Sequence, residues 1–112
     1  MLLQSAAAEL GINITITATP FATLIAEAAS QETTANITIM APSDSYSEAG
    51  SVLKLHYHSD TAGTFTQFEW LLDDTLDDMI DSALAENDYD KRMSLYADAQ
   101  RYIDDLCPTI WT

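Results

Sequence analysis

Ile12-Asn13-Ile14-Thr15-Ile16-Thr17 alternates apolar with polar side chains and is β-branched at almost every position, the pattern of a strand with one buried face. Asn36-Ile37-Thr38-Ile39-Met40 echoes it: Asn-Ile-Thr-Ile stands at 13–16 and again at 36–39, with Pro20 and Pro42 shortly after. Between the two runs, Phe21, Leu24, Ile25, Ala28 and Ala29 recur at helical spacing behind Thr19, a capping residue, and Pro20, suited to a first helical position. Strand, helix and strand in this order read as a βαβ unit, a parallel pair with a right-handed crossover. The expected fold class is therefore α/β. Just upstream, Leu2-Leu3-Gln4-Ser5-Ala6-Ala7-Ala8-Glu9-Leu10 is rich in helix formers, and Gly11 sits where a left-handed C-cap is wanted.

Downstream, from Ala41 to Gln67, the pattern breaks into Ser, Asp, Gly and Tyr around a short apolar insert, Val52-Leu53-Lys54-Leu55, predicted as one or two helical turns. A loop of that length in a small domain is functional or is held by other parts of the protein. Order returns with Leu72, Leu76, Met79, Ile80, Ala83 and Leu84 on one stripe, while Asp73, Asp74, Asp77, Asp78 and Asp81 cover the N-terminal turns and the opposite side. Asp88 is placed to cap a last helix that carries Met93, Tyr96, Ala99, Ile103, Leu106 and Cys107 inward, until Pro108 stops it. Thr109-Ile110-Trp111-Thr112 reads as a strand entering something. A helix end with no start and a strand start with no continuation both read as cut, so the expected unit is a single partial domain over 1–112 with a βαβ unit and a C-terminal helical pair.

The chain has 112 residues, 47% apolar, enough for one small core and too apolar for wholesale disorder. Eighteen acidic residues against four Lys and Arg leave a net charge of -14. That field repels phosphate backbones and anionic lipid surfaces, so nucleic acid and membrane-surface partners are excluded. Twelve of the acids are Asp, a skew that fits either life in high salt or a plain solvated face. Cys107 is the one cysteine, so no intrachain disulfide or cysteine cluster can form. No apolar run is long enough for a membrane span, and Met1-Leu2-Leu3 lacks the basic start of a signal peptide, so an exported chain would carry its targeting elsewhere.

Several constellations invite a chemical reading. His56 and His58, with Asp60 behind them, would put two imidazoles on one side of an extended segment, where zinc or nickel could bind. A pair falls short of the usual three or four ligands, and no metal is expected. The Asp73–Asp81 cluster has no glycine after Gly63 to shape a calcium loop, and reads as a solvated helix face. Ser43, Ser45 and Ser47 lie near Asp44 without a Gly-x-Ser-x-Gly elbow. No enzymatic activity and no cofactor are expected. Cys107 reads as a small buried hydrophobe, and Phe65, Phe68, Trp70 and Trp111 as packing aromatics.

Taken in order, the helix ending Leu10-Gly11-Ile12-Asn13-Ile14, the strand, the proline-led helix and the second strand form the first half of a known pattern. Leu76-Asp77-Asp78-Met79-Ile80-Asp81-Ser82-Ala83, then Asp88-Tyr89-Asp90-Lys91-Arg92-Met93-Ser94-Leu95-Tyr96-Ala97-Asp98-Ala99-Gln100, then Cys107-Pro108-Thr109-Ile110 form the second. The whole resembles the C-terminal lobe of family 5 extracellular solute-binding proteins, the peptide, dipeptide and nickel receptors of ABC importers. The resemblance covers nearly the full chain, and its most specific element is the Asp-x-x-Lys-Arg-x-x-Leu-Tyr-x-x-Ala-Gln helix. It implies part of the second lobe of a type II periplasmic-binding-protein-like fold, outside the cytoplasm, with a solute, most readily a peptide, trapped by hinge closure and delivered to a membrane permease. It further implies that the stretch from Met40 to Tyr46 passes the cleft, with Asp44 facing a ligand amine, Tyr46 walling the pocket and Ser43 and Ser45 beside them.

Two other readings compete. One is a self-standing acidic α/β interaction domain whose helices dock a basic partner; the other is a metal-binding module built on His56 and His58. A lobe parted from its neighbours would leave an apolar edge uncovered, so self-association through strand pairing is expected of the isolated piece.

Overall fold

The computed structural model describes residues 2–40, 46 and 48–110. Among them the regular elements are all helical: α1 Leu2–Glu9, α2 Phe21–Ala28, α3 Ala49–Tyr57, a 3-10 turn at Ser59–Thr61, α4 Asp74–Ala85 and α5 Tyr89–Leu106.

The expected α/β class, with its βαβ unit inside a periplasmic-binding-protein-like lobe, is overturned. Among the described residues no sheet forms, and the only β pairing consists of isolated bridges from Gln67 to Ala62 and Thr64. The alternation at 12–17 and 36–40 sets the side chains of an extended segment, but a strand also needs a ladder partner, and neither run supplies one to the other. The first run is fastened to α1 instead, through Gln4 Nε2 donating to the Ile14 carbonyl at 3.0 Å. Beside the second, Thr33 and Thr34 turn their hydroxyls onto the last carbonyls of α2, and the indole of Trp70 occupies the space next to them. Apart from half-buried Ile14, the isoleucines stay open to solvent: Ile16 is 53% exposed and Ile39 70%.

α1 ends as expected. Gly11 takes φ +77°, with Gly11 N donating to Ala8 O and Ile12 N to Ala7 O, the two bonds of a Schellman C-cap. α2 starts differently: Pro20 itself is the N-cap and no side chain caps the helix, so Thr19 has no such role.

The core lies in the second half of the chain. Leu76, Ile80 and Ala83 of α4 and Tyr96, Ala99 and Ile103 of α5 interlock with Leu53 and Tyr57 of α3. Spacings of three and four along each helix put these residues on one stripe. Asp73 caps α4 by accepting from Leu76 N at 2.8 Å and also receives the Tyr102 hydroxyl from α5. Asp88 caps α5 by accepting from Lys91 N at 3.0 Å. At the far end Cys107 adopts φ +51° and its N–H closes onto Ile103 O, so the thiol is turned outward and exposed rather than buried. Beyond it, 108–110 run without regular structure in place of the expected strand. The radius of gyration, 15.7 Å, exceeds the about 13 Å of a compact chain this long, because residues 2–40 mostly lie outside the core.

One pin joins the two parts. Trp70, itself at φ +53°, sends its indole N–H to Ala28 O at 3.2 Å and to Thr34 Oγ1 at 3.0 Å. A bulky residue in the left-handed region costs roughly 1–3 kcal/mol and persists only where its surroundings hold it; these two long-range bonds are that hold. Gly63 faces the ring edge so closely that a Cβ there would come within 2.7 Å of Trp70.

Candidate functional site

The groups that sequence reading kept apart, the His56–Asp60 run and the aspartates of α4, meet at one junction. α3 is helical through Tyr57, and the chain then turns at His58 (φ -84°, ψ 138°) into the 3-10 turn. On a helix, residues two apart point about 200° from each other, so His56 and His58 diverge instead of sharing a side. His56 Nδ1 lies 2.8 Å from Thr66 O. His58 turns inward against α4.

His58 is buried, its side chain only 6% exposed, with three carboxylates around the ring. Nδ1 accepts from Asp60 N at 3.1 Å, which caps the 3-10 turn. That bond requires a bare Nδ1, so the proton of the neutral ring sits on Nε2. Nε2 has no hydrogen-bond partner and points toward Asp81 Oδ1 at 3.5 Å. Asp60 Oδ2 and Asp77 Oδ1 lie 3.5 and 3.7 Å from Nδ1, and Asp77 Oδ1 also accepts from Ser59 N at 2.9 Å. Lys54 of α3 closes the group, its Nζ 3.1 Å from Asp81 and 3.3 Å from Asp60. Its hydrogen bond is the largest influence on Asp81, whose carboxyl it holds below the usual carboxylate range; some desolvation opposes it, while the Lys54 charge and His58 add to it. Below the ring, Gln67, fully buried, donates from Nε2 to His58 O at 3.0 Å and leaves its Oε1 unpaired.

The ring itself is enclosed, while the Asp60 and Asp81 side chains reach solvent. Grooves on the helical body lie between α4 and α5 over Thr75, Met79, Ser82 and Leu95 and between α3 and α5 over Val52, Leu53, Tyr57 and Ile103. Both are shallow and open. No His, Cys, Asp or Glu group of three or more converges on a metal position among the described residues.

Two tyrosines of the core are perturbed. Burial chiefly, with Glu48 facing its hydroxyl, pushes Tyr96 up to about 12. Burial raises Tyr57 as well, against the hydroxyl of Thr109, with Glu69 and Asp104 adding to the rise.

Of the four residues assigned to the ligand wall, Ser43, Asp44 and Ser45 lie outside the described residues; Tyr46 is exposed, its carbonyl accepting from Glu48 N. Phe68 is buried as expected of a packing aromatic, whereas Phe65 is exposed. The pin made by Trp70 has no local sequence signal, since its partners stand 36 and 42 residues away. No family profile, curated protein or solved structure matches the chain.

Proposed function

We propose that this chain is part of the substrate-binding component of an ABC importer, working outside the cytoplasm on a small, peptide-like solute. The observation that supports this reading is the pair of uncharged, alternating segments at 12–17 and 36–40, which form no regular structure and leave Ile12, Ile16, Ile37 and Ile39 exposed. Segments of that kind are stable when further polypeptide pairs with them, and in the resembled receptors the second lobe is completed by other parts of the chain. The Asp88-capped α5, with Lys91, Arg92, Leu95, Tyr96, Ala99 and Gln100 in the resembled order, supports it as well. In this reading α4 and α5 are the outer scaffold, and the stretch ending at Tyr46 meets the ligand.

A second reading follows from the charge. Asp74, Asp78, Asp81 and Asp90 are exposed along the starts and outer sides of α4 and α5, which suits a helical interaction surface for a basic partner.

Titration calorimetry of the complete gene product with a mixture of tri- to pentapeptides separates the two. Saturable binding at micromolar or tighter Kd, lost on Asp44→Ala with Tyr46→Ala, is the expected result. Absence of peptide binding together with tight capture of a polylysine probe would overturn the receptor reading in favour of the second.

A further inference from the structure

We propose that His58 is a proton-operated latch between the turn at 58–61 and α4, independent of whether the chain serves a receptor. Nδ1 accepts the Asp60 N–H at 3.1 Å, and a nitrogen that takes up a proton can accept nothing. Protonation therefore removes the cap of the 3-10 turn and leaves the Asp60 amide without its acceptor.

The same event creates new bonds. Both ring nitrogens become donors, and carboxylates already stand in place for each: Asp60 Oδ2 and Asp77 Oδ1 near Nδ1 at 3.5 and 3.7 Å, Asp81 Oδ1 near Nε2 at 3.5 Å. Small rotations bring any of them to the 2.7–2.9 Å of a charge-assisted bond, about twice as strong as a neutral one. Neutral, the ring caps the Asp60 amide; charged, it gives that amide up and bonds to the carboxylates, those of α4 included. Gln67 donates to His58 O at 3.0 Å and bridges to Ala62 and Thr64, contacts that do not depend on the charge of the ring.

The charged groups facing the ring are Lys54 from α3, Asp60 from the 3-10 turn, and Asp77 and Asp81 from α4. His56, two residues away, is engaged with Thr66 O and does not face the ring. A proton fits this site better than a metal ion. The Lys54 ammonium already occupies the place between Asp60 and Asp81, and the two ring nitrogens face different carboxylates, so no set of three donors closes on one point.

The test is nitrogen-detected NMR of the labelled chain from pH 8 to pH 5, the range over which histidine changes charge, with amide exchange read in parallel. Expected at pH 8 is the Nε2–H tautomer; expected at pH 5 is a doubly protonated ring. Over that interval the Asp60 amide should lose at least tenfold of its protection, relative to intrinsic exchange, while the Ile80 and Ala99 amides keep theirs. His58→Asn, whose side-chain oxygen can accept the same amide, should abolish the pH dependence. Should that variant unfold, Asp77→Asn with Asp81→Asn gives a second reading: both remove the negative charge that α4 offers the charged ring while keeping an acceptor oxygen, and the loss of Asp60 protection should shift to lower pH. An Nδ1–H tautomer at pH 8, or unchanged Asp60 protection on a protonated ring, would overturn the latch. So would zinc chloride at pH 7 shifting Nε2 and Asp81 together at micromolar concentration, which would assign the site to a metal.

Discussion

Replacing Ile80 by Ala and, separately, Ile37 by Ala sets the buried helical core against the open segments. Ile80 is 0% exposed and Ile37 57%. Ile80→Ala deletes three buried carbons, about 2.4 kcal/mol at roughly 0.8 kcal/mol each. A residual void of about 60 Å³ adds roughly 1.4 kcal/mol at about 24 cal/mol per Å³. The sum, about 4 kcal/mol, is close to a thousandfold in the folding equilibrium. Only residues 48–110 enclose the core, and about 60 residues carry roughly 3–9 kcal/mol of stability at typical values. The substitution therefore consumes from a little under half to all of what is available. In urea titration followed by helical ellipticity, the midpoint should fall by about 2–4 M for a slope of 1–2 kcal/mol per M, or the protein should arrive unfolded. Ile37→Ala should change stability by no more than about 0.5 kcal/mol in dilute solution, as exposed substitutions do. Equal costs at the two positions would refute the reasoning, since Ile37 would then be packed as deeply as Ile80.

Trp70→Phe removes the indole donor to Ala28 O and Thr34 Oγ1; about 1–3 kcal/mol of local stability should go with it, read as faster amide exchange over 28–34 with α4 and α5 unchanged. Asp88→Ala leaves Lys91 N uncapped and should cost about 1 kcal/mol by thermal unfolding, whereas exposed Asp90→Ala should cost less than half of that. High pH should unfold the helical body. The folded-state values of Tyr96 and Tyr57 are raised, so their contribution is intact below the unfolded phenol's value near 10 and disappears as pH climbs toward about 12 for Tyr96. Ellipticity should fall together with phenolate absorbance, and Tyr96→Phe should weaken that coupling; tyrosine ionisation complete at pH 10 would contradict it. Sedimentation of the chain at tens of micromolar should show self-association, reduced by Ile16→Lys and Ile39→Lys; a clean monomer would count against the open segments as pairing edges.

Helices α4 and α5 were legible because their information is local. Leu76, Ile80, Ala83, Tyr96, Ala99 and Ile103 carry the helical period, Asp88 caps at the expected place and Pro108 follows the end. Gly11 was legible for the same reason, since a left-handed C-cap has a residue signature. The error at 12–17 and 36–40 came from reading a conformation as a contact. Alternating isoleucines favour a strand only where another segment supplies a ladder; here Gln4 takes the Ile14 carbonyl, and the chain bends at Asn36 and Ile37. α3 runs nine residues where one or two turns were expected, and that error propagated into the site. With 56–58 taken as extended, His56 and His58 pair with each other; with α3 continued to Tyr57, His58 meets Asp77 and Asp81 instead. Cys107 was misplaced by one rule, the apolar stripe, where the helix's left-handed ending turns its side chain outward.

The Trp70 pin joins two regions of unlike electrical character. Fourteen of the eighteen acidic residues and all four basic ones lie from Glu48 onward, a net of -10, while Leu10 to Ala26 holds no charge at all. Added salt screens repulsion over about 10 Å at 0.1 M, so rising ionic strength should stiffen the helical body more than residues 2–40, whose acids are Glu9, Glu27 and Glu32 alone. Their melting should merge in fresh water and separate in brine, with the indole as the place where the two responses meet.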